Sequence, residues 1–427
     1  MSATHHVVIL GGGFGGLAAA RALASAEVRV TLVDRANHHL FQPLLYQVAT
    51  GGLSPADISF PIRSAVRNQK NVQVLMVDVT AVDLAARQVD FDGRRIGYDT
   101  LIAATGARNH YFGNDGWAAS APGLKTVEDA TAIRGKILYA FEAAELETDP
   151  AKRAAWLTFI VVGGGPTGVE LAGALGEIAN DTLKNDFRSI RPEEARILLL
   201  DGSPRILPSY PEALSAKAER ALIALGVRTR TGVHVSAIDE GGVSAGAERI
   251  EARTVLWAAG VRASDLGAQL ASQTGLAIDR GGRIPVQADC SLSGHPEIFV
   301  IGDLAHFEEA GKPLPGIAPV AMQQGRYVAE AIRARLAGGT TVKTFAYWDK
   351  GNLATIGRAS AVGYFGTRQL SGMLAWLIWL FVHLMYLVGF RNRVVVLLQW
   401  AFQYFSFNRG ARLITGRKTN GPQSDGS

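Results

Sequence analysis

Two glycine triplets carry most of the chemistry that this sequence can perform. Gly11-x-Gly13-x-x-Gly16, within GGGFGG, follows the apolar run Val7–Leu10 and opens an Ala-rich stretch of helical composition. Gly163-x-Gly165-x-x-Gly168, within GGGPTG, follows WLTFIVV in the same way. At such a junction glycines permit a tight turn and let the main chain approach a pyrophosphate, whose charge is favoured at the helix N-terminus. Each triplet has an acidic partner: Asp34 closes VRVTLVD and Asp201 closes ARILLLD, where a carboxylate accepts hydrogen bonds from ribose hydroxyls. Gly11, Gly13, Phe14, Gly15, Gly16 and Asp34 are therefore candidate contacts of one dinucleotide. Gly163, Gly165, Thr167, Gly168 and Asp201 are candidate contacts of a second. An acid at position 201 repels a 2′-phosphate and favours NADH. Arg205 nearby works against that preference, and a solvated turn within DGSP is the plainer reading of Asp201.

Two dinucleotides in one chain imply a hydride donor paired with a flavin, here NADH with FAD. Two further turns agree with this. Thr105-Gly106, in ATG, and Gly302-Asp303, in IGD, place small residues after apolar runs, where the chain can pass close to a cofactor. Asp303 could there accept a hydrogen bond from the ribityl chain of FAD.

The elements that must position these residues form a repeat. His6–Asp34 reads strand, glycine turn, helix, strand, and the stretch from Trp156 to Asp201 repeats that order. VQVLMVDVTAVD and YDTLIAATGA add strands to the first domain, and VLWAAGV and IFVIGD repeat an apolar strand ending in a small-residue turn. The expected fold is α/β, with two Rossmann-like domains, the second inserted in the first. The boundaries read 1–118 for the first part of an FAD domain, 119–273 for an NADH domain, 274–342 for the return to the FAD domain, and 343–427 for a C-terminal region. Thr167-x-x-Glu170 has the spacing of a capping box at a helix N-terminus.

Composition narrows the field. At 427 residues the chain exceeds one compact core. A single cysteine, Cys290, excludes a disulfide framework, a cysteine metal cluster and a redox-active cysteine pair. No metal site is expected. The net charge of +5 is too small and dispersed for nucleic acid and suits a surface beside anionic lipid. The N-terminus lacks an export leader, which points to a cytoplasmic setting.

The C-terminal region changes character. Leu374–Phe390 is almost wholly apolar, and Val394–Phe407 is apolar apart from Gln399, Gln403 and Ser406 on one helical stripe. Arg409, Arg412, Arg417 and Lys418 follow, and a disordered tail is expected from Thr419. A helix over Leu374–Phe390 would span about 26 Å against a hydrocarbon core of about 30 Å, which is marginal for a crossing. Two helices lying in one leaflet fit better, with Trp376, Trp379, Trp400 and Tyr404 at the interface and residues 371–417 meeting anionic lipid. A buried dimer interface is the alternative use of the same faces.

Taken together, these motifs resemble the type II NADH dehydrogenases, single-subunit NADH:quinone oxidoreductases that pump no protons, over the chain to about Arg417. The resemblance rests on GGGFGGL at Gly11, FQPLLYQVATGGLSP from Phe41, GGGPTGVELAG from Gly163, WAAGV from Trp257, IGDLA from Ile301 and DKGNLATIGR from Asp349. It implies FAD against Val79, Ala318 and Lys350, NADH against Ala259 and Gly260, and Glu170 as a catalytic residue beside both rings. The family's quinone signature AQxxxQ is present as Ala318-Pro319-Val320-Ala321-Met322-Gln323. Pro319 replaces the first glutamine, which leaves Ala321 and Gln323 as the implied quinone contacts. The resemblance further implies a homodimer peripheral to the cytoplasmic face of the cell membrane. Two other functions remain open: a soluble NADH-dependent reductase of a small electron-carrier protein, and a non-catalytic NADH-binding redox sensor. A sulfide:quinone oxidoreductase would need more than one cysteine.

Overall fold

The computed structural model describes residues 4–339, 343–406 and 409–415. Phe407, Arg417, Lys418 and the tail from Thr419 lie outside the described residues. The chain divides into two compact units. The first comprises the residues up to Phe41, Ser59–His110 and Gly260–Gly351; the second comprises Gln42–Ile58, Tyr111–Ala259 and the residues from Asn352 onward.

Each unit is built on one copy of the repeat. In the first, β1 (His6–Leu10) leads into α1 (Phe14–Ala22) and β2 (Arg29–Asp34). In the second, β3 (Thr158–Val162) leads into α2 (Pro166–Glu177) and β4 (Arg196–Asp201). All five residues of β1 and of β3 are buried, as a parallel strand covered on both faces requires. In the first sheet β1 lies between β2 and Thr100–Ala103, with Val72–Met76 outside β2. His295–Val300 pairs with the other side of Thr100–Ala103 in parallel, and Ser291–Leu292 closes the edge antiparallel. In the second sheet β3 lies between β4 and Thr254–Trp257, with Val227–Thr231 outside β4. Strand order thus reverses at β1 and at β3, and each glycine turn leaves its sheet at that switch point.

The two copies differ in what covers them. In the first unit α1 packs closely on α3 (Ala318–Leu336) through small residues. A Cβ on Gly325 would stand 2.3 Å from the carbonyl oxygen of Gly15 and 3.1 Å from the nitrogen of Ala19. In the second unit α2 continues into a π-helical turn, Ile178–Thr182, a form that recurs at functional sites. The capping box expected at Thr167 is not formed. Gly165 is the N-cap of α2, Pro166 is its first residue, and no side chain bonds the cap. The turn out of β3 requires glycine at that position, so Thr167 falls inside the helix.

The second unit also holds an antiparallel sheet, Asn352–Thr355, Ala361–Phe365 and Arg368–Gly372, which leads directly into α4 (Met373–Tyr386) and α5 (Phe390–Ser406). The apolar helix expected over Leu374–Phe390 therefore stops early. Gly389 has φ +93°, and Arg393 Nε donates to the Leu387 carbonyl at 2.9 Å, which fixes the break. At about 1.5 Å per residue α4 is roughly 21 Å long, and no helix among the described residues is long and apolar enough to cross a membrane.

Both helices turn their apolar sides outward. Leu374, Leu377, Phe381 and Met385 are exposed on α4, as are Phe390, Leu398, Phe402 and Phe405 on α5. The buried face instead carries Ala375, Trp379, Asn392, Val396 and Trp400. The polar stripe divides: Gln403 Nε2 donates to the Gly52 carbonyl, whereas the exposed Ser406 hydroxyl donates to the carbonyl of Phe402 within its own helix.

The helix seam of the first unit leaves no room for a methyl group. Gly325→Ala is expected to cost about 1–3 kcal/mol, the range for overpacked cores. Thermal unfolding followed by far-UV circular dichroism checks this; an unchanged midpoint would show that the α1–α3 seam can part at no cost.

Candidate functional site

The two glycine turns are the same structure built twice. Gly11 (φ +101°) donates to the Val33 carbonyl at 2.7 Å, and Gly163 (φ +112°) donates to the Leu200 carbonyl at 2.7 Å. A Cβ on Gly16 would lie 1.8 Å from the Gly11 oxygen, and one on Gly168 would lie 1.8 Å from the Gly163 oxygen. Gly11 is backed by Ala104 and Gly163 by Ala258 and Ala259, so both turns are held tightly from behind. Gly13 and Gly165, the N-caps of α1 and α2, face nothing within 4 Å. Close contact behind and open space in front is the form of a cradle that a phosphate can approach.

The acidic partners are fixed in matching ways. Asp34 accepts from Gly12 N at 2.6 Å and from Ala36 N at 2.7 Å. Asp201 accepts from Gly164 N at 2.5 Å and from Ser203 N at 2.6 Å. Each carboxylate thus braces its turn and still has lone pairs for a ribose. Arg205, which sequence proximity set against Asp201, is engaged elsewhere: its guanidinium donates to the Leu207 and Pro208 carbonyls and to Ser215 Oγ.

Phe14 meets the edges of His39 and Phe41 at centroid distances of 5.0 and 5.8 Å. Gly15 faces Ile301 and the Ala321 carbonyl across the helix seam. Thr105 shares a 2.5 Å hydrogen bond with Ser264, and Gly106 (φ +66°) faces open space. Gly302 N donates to Gln324 Oε1 at 2.7 Å, and a Cβ on Gly316 would lie 3.2 Å from the Asp303 carboxylate. Gln324, buried and absent from the sequence-level candidates, thereby holds the Gly302-Asp303 turn. Val79 packs against the apolar core, Ala318 opens α3, and Gly260 accepts from His110 N at 3.1 Å. Gln323 makes two bonds with one residue: Nε2 donates to the Trp348 carbonyl at 3.1 Å, and Oε1 accepts from Trp348 N at 3.0 Å. The Lys350 ammonium lies 5.0 Å over the Trp348 ring.

In the second unit Glu170 sits one turn into α2 and is buried. Burial pushes its carboxyl up to about 8, against the lowering effect of a main-chain hydrogen bond from Thr355. Glu170 lines a pocket together with Tyr46, Gln47, Arg358, Trp379, Trp400 and Gln403. Farther along α2, Glu177 forms the pocket's polar wall. It accepts from Arg358 N and, at 2.6 Å, from Arg409 Nη2, while Arg409 Nη1 donates to Thr50 Oγ1 at 2.8 Å. Arg358 in turn donates to the carbonyls of Gln403 and Tyr404 in the last turn of α5, where a cation suits the helix dipole.

Apart from Glu170, no residue of this pocket was a candidate for chemistry on sequence grounds; Trp379 and Trp400, expected at the membrane interface, are buried, and Arg409, expected to meet lipid, pairs with Glu177. Tyr46 and Gln47 lie in FQPLLYQVATGGLSP, a segment with a family resemblance but no recognisable chemical spacing. Arg358, Gln403 and Arg409 come from distant parts of the chain, so only folding unites them.

Comparison with known proteins accords with this arrangement. The family model described as pyridine nucleotide-disulphide oxidoreductase matches residues 5–325, and the NDH2 C-terminal domain model matches residues 349–409. A type II NADH:quinone oxidoreductase of Mycobacterium tuberculosis is 46% identical over 425 residues, covering 97% of this chain and 91% of that protein. The enzyme of the same description from Staphylococcus haemolyticus is 30% identical, covering 86% and 92%. Among solved structures, NDH2 of Plasmodium falciparum in complex with NADH has a TM-score of 0.86 at 20% identity, covering 96% of this chain and 99% of that one. The sulfide:quinone oxidoreductase of Aquifex aeolicus reaches a TM-score of 0.73 at 18% identity and shares the fold. This chain belongs to the pyridine nucleotide-disulphide oxidoreductases and, within them, to the type II NADH:quinone oxidoreductases.

Proposed function

We propose that the protein oxidises NADH and reduces a membrane quinone by way of bound FAD, with the balance NADH + H⁺ + quinone → NAD⁺ + quinol and no proton pumping. The duplicated cradle is the observation that carries this reading. Two turns share their contacts with neighbouring carbonyls and carboxylates, and each has an open N-cap, so the chain is built for two dinucleotides. The relatives at 46% and 30% identity, both named type II NADH:quinone oxidoreductase, supply the acceptor.

FAD fits the first unit. A pyrophosphate has open space at Gly13, the Asp34 carboxylate can take a ribose, and Gly106 leaves a gap where a ring system can pass. Bound there, FAD supplies two-electron chemistry between the nicotinamide and the acceptor. Gly302 and Asp303, fixed by Gln324, orient its ribityl chain, and Val79 lies against its adenine. Gln323 holds the main chain at Trp348 and so positions Lys350 toward the flavin; Ala321 and Gln323 border the acceptor side. NADH fits the second unit, with its phosphates at Gly163–Gly168, its adenosine ribose on Asp201, and Ala259 beside the nicotinamide. The pocket lined by Glu170 receives the quinone head. Glu170 holds a proton there at neutral pH and gives it to the reduced acceptor.

The outward apolar faces of α4 and α5 dock on the cytoplasmic leaflet. Several aromatic and aliphatic side chains immersed together, each worth about 1.5–3 kcal/mol, hold a protein at an interface without a crossing. Arg412, expected at the headgroups, is instead engaged within the protein, where its guanidinium pairs with the Asp186 carboxylate at 2.5 Å.

Three outcomes test this function. Asp201→Ser should narrow the kcat/KM preference for NADH over NADPH, whereas equal use of both nucleotides by the unmodified enzyme would remove the role given to Asp201. Glu170, protonated below about 8, should make quinone reduction fall as pH rises through that value. The same raised pKa means its contribution to stability is full below the ordinary carboxylate range and is lost as pH rises through about 8. Glu170→Gln should therefore flatten the pH profile and melt above the parent enzyme at pH 9; an unaltered profile rules Glu170 out as the proton source. Finally, a combined Leu374→Ser, Phe381→Ser and Phe402→Ser variant, altered only at exposed positions, should keep its flavin and its ferricyanide reduction. It should no longer float with anionic vesicles, and reduction of long-tailed quinone should drop. Undiminished vesicle flotation, or a change seen only in sedimentation as loss of a dimer, would return these faces to a protein interface.

A further inference from the structure

The acceptor pocket contains a polar chain whose direction is fixed by the chemistry of its first member. An indole nitrogen can only donate. Trp400 Nε1 donates to Gln47 Oε1 at 2.7 Å, so the oxygen of this amide faces Trp400 and its NH₂ group faces the other way. That NH₂ group donates to the Tyr46 hydroxyl at 2.9 Å. Tyr46 is therefore an acceptor toward Gln47, and its own O–H proton is left for another partner. Among the described residues the Tyr46 hydroxyl donates to none. Tyr46 and Trp400 are both buried, and all three residues line the pocket beside Glu170. A buried hydroxyl proton without an acceptor is unfavourable, so the arrangement persists only where something in the pocket accepts it.

We infer that the Tyr46 hydroxyl donates a hydrogen bond to one carbonyl oxygen of the bound quinone, and that Trp400 and Gln47 are positioning residues that aim its proton into the pocket. The inference rests on the pocket being the quinone site. It assigns Tyr46 a role distinct from that of Glu170. Burial raises the Tyr46 hydroxyl well above its ordinary range, so it keeps its proton and stabilises the negative charge that develops on the quinone oxygen as electrons arrive. The backbone that carries Tyr46 is fixed as well: Thr50 Oγ1 donates to the Tyr46 carbonyl at 2.8 Å, and Arg409 holds Thr50. No covalent step is required of Tyr46, so the overall proton and electron balance is unchanged.

The test is rapid mixing of the NADH-reduced, flavin-replete enzyme with either a short-chain quinone or ferricyanide, which has no carbonyl to polarise. In Tyr46→Phe, reoxidation by quinone should slow about ten- to a hundredfold, the value of a hydrogen bond to a charged group, with ferricyanide reoxidation unchanged. Trp400→Phe frees the Gln47 amide to turn over and accept from Tyr46, so it should show the same quinone-selective loss with the Tyr46 hydroxyl intact. Gln47→Glu, whose carboxylate accepts from both neighbours, should do likewise. Infrared difference spectra with carbonyl-labelled quinone should show one lowered carbonyl stretch in the unmodified enzyme, absent from all three variants. Equal slowing with both oxidants, quinone rates at the unmodified level in Tyr46→Phe, or a lowered carbonyl band that survives Tyr46→Phe would each overturn the inference. Normal quinone rates in both Trp400→Phe and Gln47→Glu would overturn the aiming role. Failure of the unmodified, flavin-replete enzyme to reduce quinone would instead overturn the function proposed for the pocket.

Discussion

One steric constraint governs both halves of this molecule: a helix begins so close to the strand before it that only hydrogen fits between them. The third glycine of each turn places its α-carbon against the carbonyl oxygen of the first, at Gly16 on Gly11 and at Gly168 on Gly163, where a methyl group would overlap that oxygen. That proximity brings α1 and α2 down onto their sheets with their N-terminal amides toward the strand ends. It also brings Asp34 and Asp201 within hydrogen-bond reach of the neighbouring turn. The cradle, its acidic brace and the direction of the helix are consequences of one contact, which explains why they recur as a set.

The second copy carries more than a nucleotide. Along α2 the first turn closes the glycine cradle, the next buries Glu170 in the pocket, and the last presents Glu177 to Arg409 and to the main chain of Arg358. A single helix therefore joins cradle, pocket and C-terminal segment. The Glu177–Arg409 pair is mostly shielded from water and has further hydrogen bonds on both partners, the condition under which a buried ion pair is worth keeping. Its carboxylate and guanidinium also bring together four chain segments that are remote in sequence, at Thr50, Glu177, Arg358 and Arg409.

How much could be read beforehand depended on whether the information was local. The repeat, its strands and its glycines follow from contiguous residues with fixed spacing, and the structure contains them. The capping box at Thr167 failed because the turn geometry outranked side-chain capping and moved the N-cap to Gly165. The apolar helix from Leu374 to Phe390 failed because Gly389 adopts a left-handed conformation that hydropathy does not register. The outward sense of α5 was half legible: the polar stripe pointed to amphipathicity, but only packing shows that Asn392, Val396 and Trp400 look inward while Phe402 and Phe405 look outward. Tyr46, Gln47 and Arg358 were invisible as a group, since nothing in their separate segments signals that they share a pocket.

Cys290 has a practical consequence. It is the chain's only cysteine, it is fully buried, and burial pushes its thiol far above the ordinary range, so it forms little of the reactive thiolate. The molecule is therefore, in effect, blank to thiol reagents while folded. A cysteine introduced at an exposed position of α4 or α5 would be the sole labelling site, with no native residue to remove first. Depth in a bilayer could then be read residue by residue from attached spin labels, and unfolding could be timed by the moment the native thiol begins to react.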